Sequence, residues 1–235
     1  MEIGLKKAPR KPPGDHRSRV GAERREKTRE RLIESALLVF TQHGLDAGVI
    51  DKVIRTATVS RGTFYNYFRT DEDVFIAVGA RVSKEILTLV DPFVTAQADA
   101  AGRVACGMHL VLAMARETPM LADFLVRGGP RAFGHGSLVN EVVVRDLALG
   151  LAVGTFKSMD LRVAHDLVLG PVQIAFHRIL SGDLPADYAE SMTRGVLRSL
   201  GVAPARAAKL AALSYGPLVI ADDSIFNRAR LRAQD

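Results

Sequence analysis

Apolar residues along this chain recur by threes and fours, and no stretch alternates in the way a half-buried strand would. Leu32, Ile33, Ala36, Leu37 and Phe40 predict a first helix over about 24–43, with Gly44 placed to end it. Ile50, Val53, Ile54 and Ala57 predict a short one over about 49–57, followed by a turn at Thr58-Val59. Ser60 then offers an N-cap hydroxyl to a third helix of about 60–66. Phe64 and Phe68 fall on one side of that helix, while Gly62, Thr63, Tyr65 and Asn66 lie at or beyond the edges of the other. A helix this short is held only by its aromatic side against neighbours.

Thr70 caps a long helix whose first turn carries Asp71, Glu72 and Asp73 and whose stripe runs from Phe75 to Phe93, with Pro92 near its end. Further helices are expected over about 100–116, 119–127, 137–153, 161–181, 186–200 and 204–214. Their punctuation is Thr118-Pro119, Asp160, Gly182, Leu184-Pro185 and Gly201. Residues 127–136, with four glycines and a proline, read as a flexible loop. The fold class is therefore all-α. The helix of 161–181 is apolar on more than one face, so a second subunit is its economical cover. An isologous interface would use Leu167, Val168, Val172, Phe176 and Ile179 with Tyr188, Met192, Val196 and Leu200.

Charge adds direction to this pattern. Residues 1–31 hold eleven Lys/Arg and five Asp/Glu, which accounts for the whole net charge of +6. Residues 1–22 lack periodicity and read as a disordered basic arm, suited to phosphates because neutralising them releases counterions. The remaining composition, 48% apolar and 25% charged over 235 residues, is that of one or two ordinary globular domains. The longest apolar runs fall well short of the ~20 residues that span a bilayer, and no apolar stretch follows the basic start, so neither a membrane span nor a signal peptide is expected. A lone Cys106 excludes an intrachain disulfide framework and fits a reducing cytoplasm. No nucleophile elbow, HExxH, P-loop or dinucleotide fingerprint is present, and Gly134 and Gly136 follow no strand, so no enzyme activity, cofactor or metal is expected.

Two short helices joined by a tight turn, the second polar outward, form a helix-turn-helix. Its outward chemistry suits the major groove of double-stranded DNA. Arg61 can bond guanine O6 and N7, or a phosphate. Gly62 lets the backbone approach base edges. Thr63 can meet a thymine methyl or a phosphate, Asn66 adenine or solvent, and Tyr65 and Tyr67 can aim phenol groups at phosphates, Tyr67 being equally suited to a half-buried place. Thr70 bonds a phosphate or only caps its helix. Arg24, Arg25 and Lys27 extend the basic surface.

Over residues 27–78, from Thr28-Arg-Glu-Arg-Leu-Ile to Val59-Ser-Arg-Gly-Thr-Phe-Tyr-Asn-Tyr-Phe and Glu72, the chain resembles the TetR family of transcription regulators. A second patch, Leu161…Gly170 and Leu184-Pro185…Gly201, is similar to that family's last two main helices. The resemblance implies a homodimer that represses from a palindromic operator and is released by a small, lipophilic effector. Residues 23–69 would read DNA and residues 70–215 would hold the effector and the dimer interface, leaving 216–235 as a tail of open structure. Met108, His109, Leu112, Phe124, Val143, Leu147 and Phe176 occupy positions that line the family's pocket. Cys106 and His109, three apart, are a metal-like pair without a third ligand. The chain departs from the family pattern at Gly48-Val49, where a hydroxyl residue is usual, at Thr58, where the turn has glycine, and at Asp71, where lysine is common. Two other readings are an all-α small-molecule-binding protein without specific DNA binding, and a non-specific DNA-coating protein.

Overall fold

The computed structural model describes residues 14–45, 48–133, 137–182 and 184–232, and among these every regular element is helical. Residues 1–13 of the expected arm, Gly134 and Gly136 of the expected loop, and the last three residues of the tail lie outside the described residues. The first helix, α1 (Gly14–His43), is longer than its apolar set predicts. The expected disordered arm is thereby corrected in its second part, since residues 14–22 continue α1. No proline interrupts the chain from Gly14 through His43, and Arg19 and Glu23 add a pair one turn apart.

Leu32, Ile33, Ala36, Leu37 and Phe40 are buried on the inner side of α1, where α2 (Val49–Thr56) packs against it, with α3 (Arg61–Tyr65) following α2. The next helix, α4 (Asp71–Thr95), starts at a reciprocal capping box in which Thr70 and Asp73 bond each other's backbone N–H. Pro92 lies within its last turn. α5 (Ala100–Glu117) runs through the middle of the remainder, touching α4, α6 (Pro119–Gly128), α7 (Leu138–Ala152), α8 (Leu161–Ser181) and α9 (Tyr188–Ser199), with α10 (Pro204–Ala211) against α5 and α9. The predicted flexible loop is a 3-10 turn over its described part, Gly129–Phe133. Close packing demands this. A Cβ on Gly128 would stand 2.8 Å from the Phe75 ring and 2.9 Å from Ala132, so the turn is pressed onto α4.

The expected dimer residues divide. Val168, Val172, Phe176, Val196 and Leu200 are buried inside this protomer and are corrected to core positions. Leu167, Ile179, Tyr188 and Met192 are half-buried. A helix apolar on more than one face cannot reveal from sequence which face meets its own α5 and α6. The stripe left open on α8 is Val163, Leu167, Gly170 and Ile174, with Val163 50% and Ile174 53% exposed.

The tail returns to the start of the chain. Residues 212–224 form a strap leading to α11 (Ile225–Leu231), whose Ile225, Phe226 and Ala229 are buried and which lies along α1 and α4. Glu34, buried on α1, pairs with Arg228 Nε at 2.7 Å and Arg232 Nη2 at 2.6 Å. Glu34→Gln is expected to lower folding stability by about 1.5–3 kcal/mol in urea titrations. Amide exchange over 225–231 should rise more than elsewhere, and unchanged exchange there would show that these ion pairs do not hold α11.

Candidate nucleic-acid interface and effector cavity

The short α3 is built from its cap outward. Ser60 Oγ accepts from Thr63 N–H at 3.0 Å and lies 2.8 Å from Thr63 Oγ1. The two hydroxyls share one hydrogen bond, so one O–H remains free to donate. Phe64 is fully buried, Phe68 nearly so, and their rings stand 5.9 Å apart. That anchor leaves Arg61, Gly62, Tyr65 and Asn66 exposed along one face, with Thr63 and Tyr67 half-buried. The Thr70 hydroxyl accepts from Asp73 N–H at 3.1 Å and keeps its own proton.

Arg61 is not idle in the free protein, for it is ion-paired with Asp51 of α2. Both side chains are largely exposed, and such pairs contribute about 0–1 kcal/mol, so a base edge or a phosphate can displace the carboxylate. Asp51 is a site residue that the sequence does not single out; its only signal is an acid at the start of a helix that should meet phosphates. Arg24, Arg25 and Lys27 are exposed on α1. Arg29 lies over the Phe68 ring at 5.8 Å, so the three bases sit up to roughly two turns further along α1 from the end of α3. The departures from the family pattern also have structural form. Gly48 caps α2 at φ 83° without a side-chain bond, and Thr58 holds the turn at φ 51°. Thr58 is the one non-glycine residue at positive φ among the described residues, a conformation that costs roughly 1–2 kcal/mol for an L-residue.

A cavity lies between α4, α5, the 3-10 turn, α7 and α8, with about 110 Å³ open to the centre of a water-sized sphere. Met108, Phe124, Val143 and Phe176 of the expected set line it. His109, Leu112 and Leu147 do not, and they are corrected. Val104, Gly107, Met108 and Val111 give α5 one cavity-facing side, whereas His109 is turned about 100° from Met108 and faces another groove. Leu112 and Leu147 are buried in the core instead. The polar lining residues are Ser83, Asp91, Arg103, Ser137 and Asp146. Asp146 Oδ1 accepts from Arg103 Nη1 at 3.1 Å and from Arg145 Nε at 3.0 Å, while Arg103 Nε is buried without a partner. The one sequence signal for this pair is an acid inside the apolar run of 142–149.

The cavity wall continues into α1 and α4, the helices that flank the helix-turn-helix in the chain. Phe124 stacks 5.4 Å from Phe75 of α4 and 6.4 Å from Phe40 of α1, and those two meet edge-on at 5.6 Å. Arg131 of the 3-10 turn lies 5.4 Å over the Phe75 ring and pairs with Glu72 in the first turn of α4.

Comparisons with known proteins agree with this architecture. Residues 32–78 match the family model described as bacterial regulatory proteins, tetR family, and residues 99–213 match the tetracyclin repressor-like C-terminal domain. The chain belongs to the TetR family. Over 61 residues it is 38% identical to the HTH-type transcriptional regulator SrpR of Pseudomonas putida, a match covering 26% of this chain and 29% of SrpR. Over 60 residues it is 33% identical to the uncharacterized HTH-type transcriptional regulator YhgD of Bacillus subtilis, covering 26% of this chain and 31% of YhgD. A crystal structure of RolR in complex with the ligand resorcinol superposes over 84% of this chain and all of that one, with 27% identity and a TM-score of 0.64.

Gly62→Ala separates reading from folding. The nearest atom to an added Cβ is Ser60 Oγ at 3.9 Å, so the protein has room for it. Thermal stability is expected to hold or rise, by up to about 1 kcal/mol from helix propensity, while DNA affinity falls in a gel-shift titration. Unchanged affinity would remove Gly62 from the interface.

Proposed function

We propose that this TetR-family member is a dimeric, ligand-responsive transcriptional repressor whose effector is a small hydroxylated aromatic molecule. The observation that carries this reading is an apolar cavity with charged groups in its wall and Phe124 as its shared boundary with α1 and α4. The apolar wall suits a lipophilic body, and Asp146 with Arg103 supplies the few polar contacts that fix orientation. The cavity's size suits a single ring, and RolR, 27% identical, binds resorcinol. Ligand entry would displace Phe124 and the 3-10 turn, tilting α4 through Phe75 and Arg131 and changing the separation of the two reading helices. The operator is palindromic because a two-fold dimer presents two copies of α3. Arg61 and the backbone at Gly62 read sequence, while the basic α1 extension supplies affinity. This is the role of a regulator, not an enzyme.

Fluorescence anisotropy on the DNA upstream of its own gene, against a scrambled duplex, tests the reading. Specific binding is expected, with release on adding resorcinol or a close phenol. Asp146→Asn should leave DNA affinity intact and raise the phenol concentration needed for release by about tenfold, the worth of one charge-assisted hydrogen bond. Equal binding to both duplexes would favour a non-specific DNA-coating protein, and no binding a ligand-binding protein without an operator.

The dimer face proposed is the open stripe of α8, Val163, Leu167, Gly170 and Ile174, which spacing places on one side of the helix. A Cβ added at Gly170 would have no neighbour within 4 Å, so a partner helix can approach there. Ile174→Glu is expected to sediment as a monomer and to lose cooperative occupancy of a two-half-site operator. A dimer that persists in this variant would move the interface elsewhere.

A further inference from the structure

α5 is a wall between two hollows. Opposite the effector cavity, a second groove of about 500 Å³ runs between α5, the start of α9 and the strap that leaves α10. Its apolar lining comes from Leu110, Ala113, Ala189 and Leu213, and its polar lining includes His109, Glu190 and Tyr215. The His109 and Tyr215 rings lie 5.8 Å apart. The Tyr215 hydroxyl is buried without a hydrogen-bond partner, while the His109 ring has the Ala105 carbonyl within hydrogen-bond reach. Buried polar atoms are nearly always bonded, so the unpartnered Tyr215 hydroxyl in the wall of this groove marks a place where something else can bond.

The charges around the groove set the sign of what fits. Glu117, Asp187 and Glu190 stand against a single lining cation, Arg116. Arg194 offsets Glu190 only through an exposed pair at 3.6 Å, and Asp187 accepts from the Ser191 hydroxyl. Burial lowers the His109 pKa, leaving a neutral ring with one accepting nitrogen, and pushes Tyr215 up to about 12, leaving a neutral phenol. The groove is therefore lined by net negative charge, with an apolar wall behind it.

We propose that this groove is a second small-molecule site, distinct from the effector cavity, that takes an amphiphilic organic cation. Its ammonium would donate to Glu190 and His109 and lie near the Tyr215 ring, and its apolar body would pack on Leu110, Ala113 and Leu213. Cations over an aromatic face are attracted by the ring quadrupole. The site stands on the groove and its unpaired Tyr215 hydroxyl, and does not depend on DNA binding or on what fills the other cavity.

The test uses the full chain and 2-phenylethylammonium as the probe, with 3-phenylpropanol and 3-phenylpropionate as neutral and anionic counterparts. Calorimetry should show the cation binding, the alcohol binding about tenfold more weakly, and the carboxylate not at all. Histidine-ring NMR, assigned with His109→Gln, should show the His109 resonances moving on titration. Glu190→Gln and Tyr215→Phe, each checked for folding by circular dichroism, should weaken binding about tenfold. Absence of heat, a stationary His109 signal, equal binding of all three probes, or full affinity in both variants would each overturn the site.

Discussion

The contact on which the rest depends is the three-ring cluster of Phe40, Phe75 and Phe124. One ring comes from the helix that backs the DNA-reading motif, one from the helix that links the two halves, and one from the wall of the effector cavity. Aromatic pairs of this kind contribute about 0.5–1.5 kcal/mol each beyond area burial, so the cluster is both glue and lever. Interiors packed to this density do not deform smoothly. Gly128 shows how little room there is, since even a methyl group would collide with Phe75. On the side away from the cavity, Phe124 is therefore backed directly by α1 and α4.

The reading head itself is sparing with charge. Residues 32–72 carry four bases and five acids, and one of those bases, Arg61, is paired with one of the acids, Asp51. Over the described residues, five bases from Arg17 to Lys27 stand against three acids on the part of α1 before Thr28, as part of a helix.

Most helices are legible in the sequence because each carries its own local signals. Thr70, Asp99, Ser137 and Asp160 cap through side chains that need no distant partner, and the apolar spacing of α1, α4 and α5 is strong. The exposed face of α3 is legible for the same reason, through the cap at Ser60 and the buried Phe64 and Phe68. What is not legible depends on partners far away in sequence. α11 is fixed by Arg228 and Arg232 meeting Glu34, 198 residues from Arg232. The inner face of α8 cannot be told from its outer face, because both are apolar and only contact with α5 and α6 distinguishes them. His109 reads as a cavity residue because of the resemblance to the family's pocket, yet it faces away from Met108, its neighbour on the helix, and lines the other groove. The charged cavity members, Arg103 and Asp146, are hidden because each reads as an ordinary surface residue until the other is opposite it.

The return of the chain's end to its beginning changes how the head can move. The reading head is held not only by α4 but also by α11, which lies along α1 and α4 and is locked by Glu30 and Glu34. Arg81 of α4 reaches the same Glu30 at 3.5 Å, so α1, α4 and α11 share one carboxylate. A tilt of α4 driven from Phe124 must therefore either carry α1 and α11 with it or strain these pairs. The first course is the less costly, because the buried carboxylate of Glu34 would otherwise lose its partners. Under the proposed switching, the head would move as one body of α1 to α4 with α11 attached, and the strap of residues 212–224, together with the packing of α4 on α5 and α7, would have to give way.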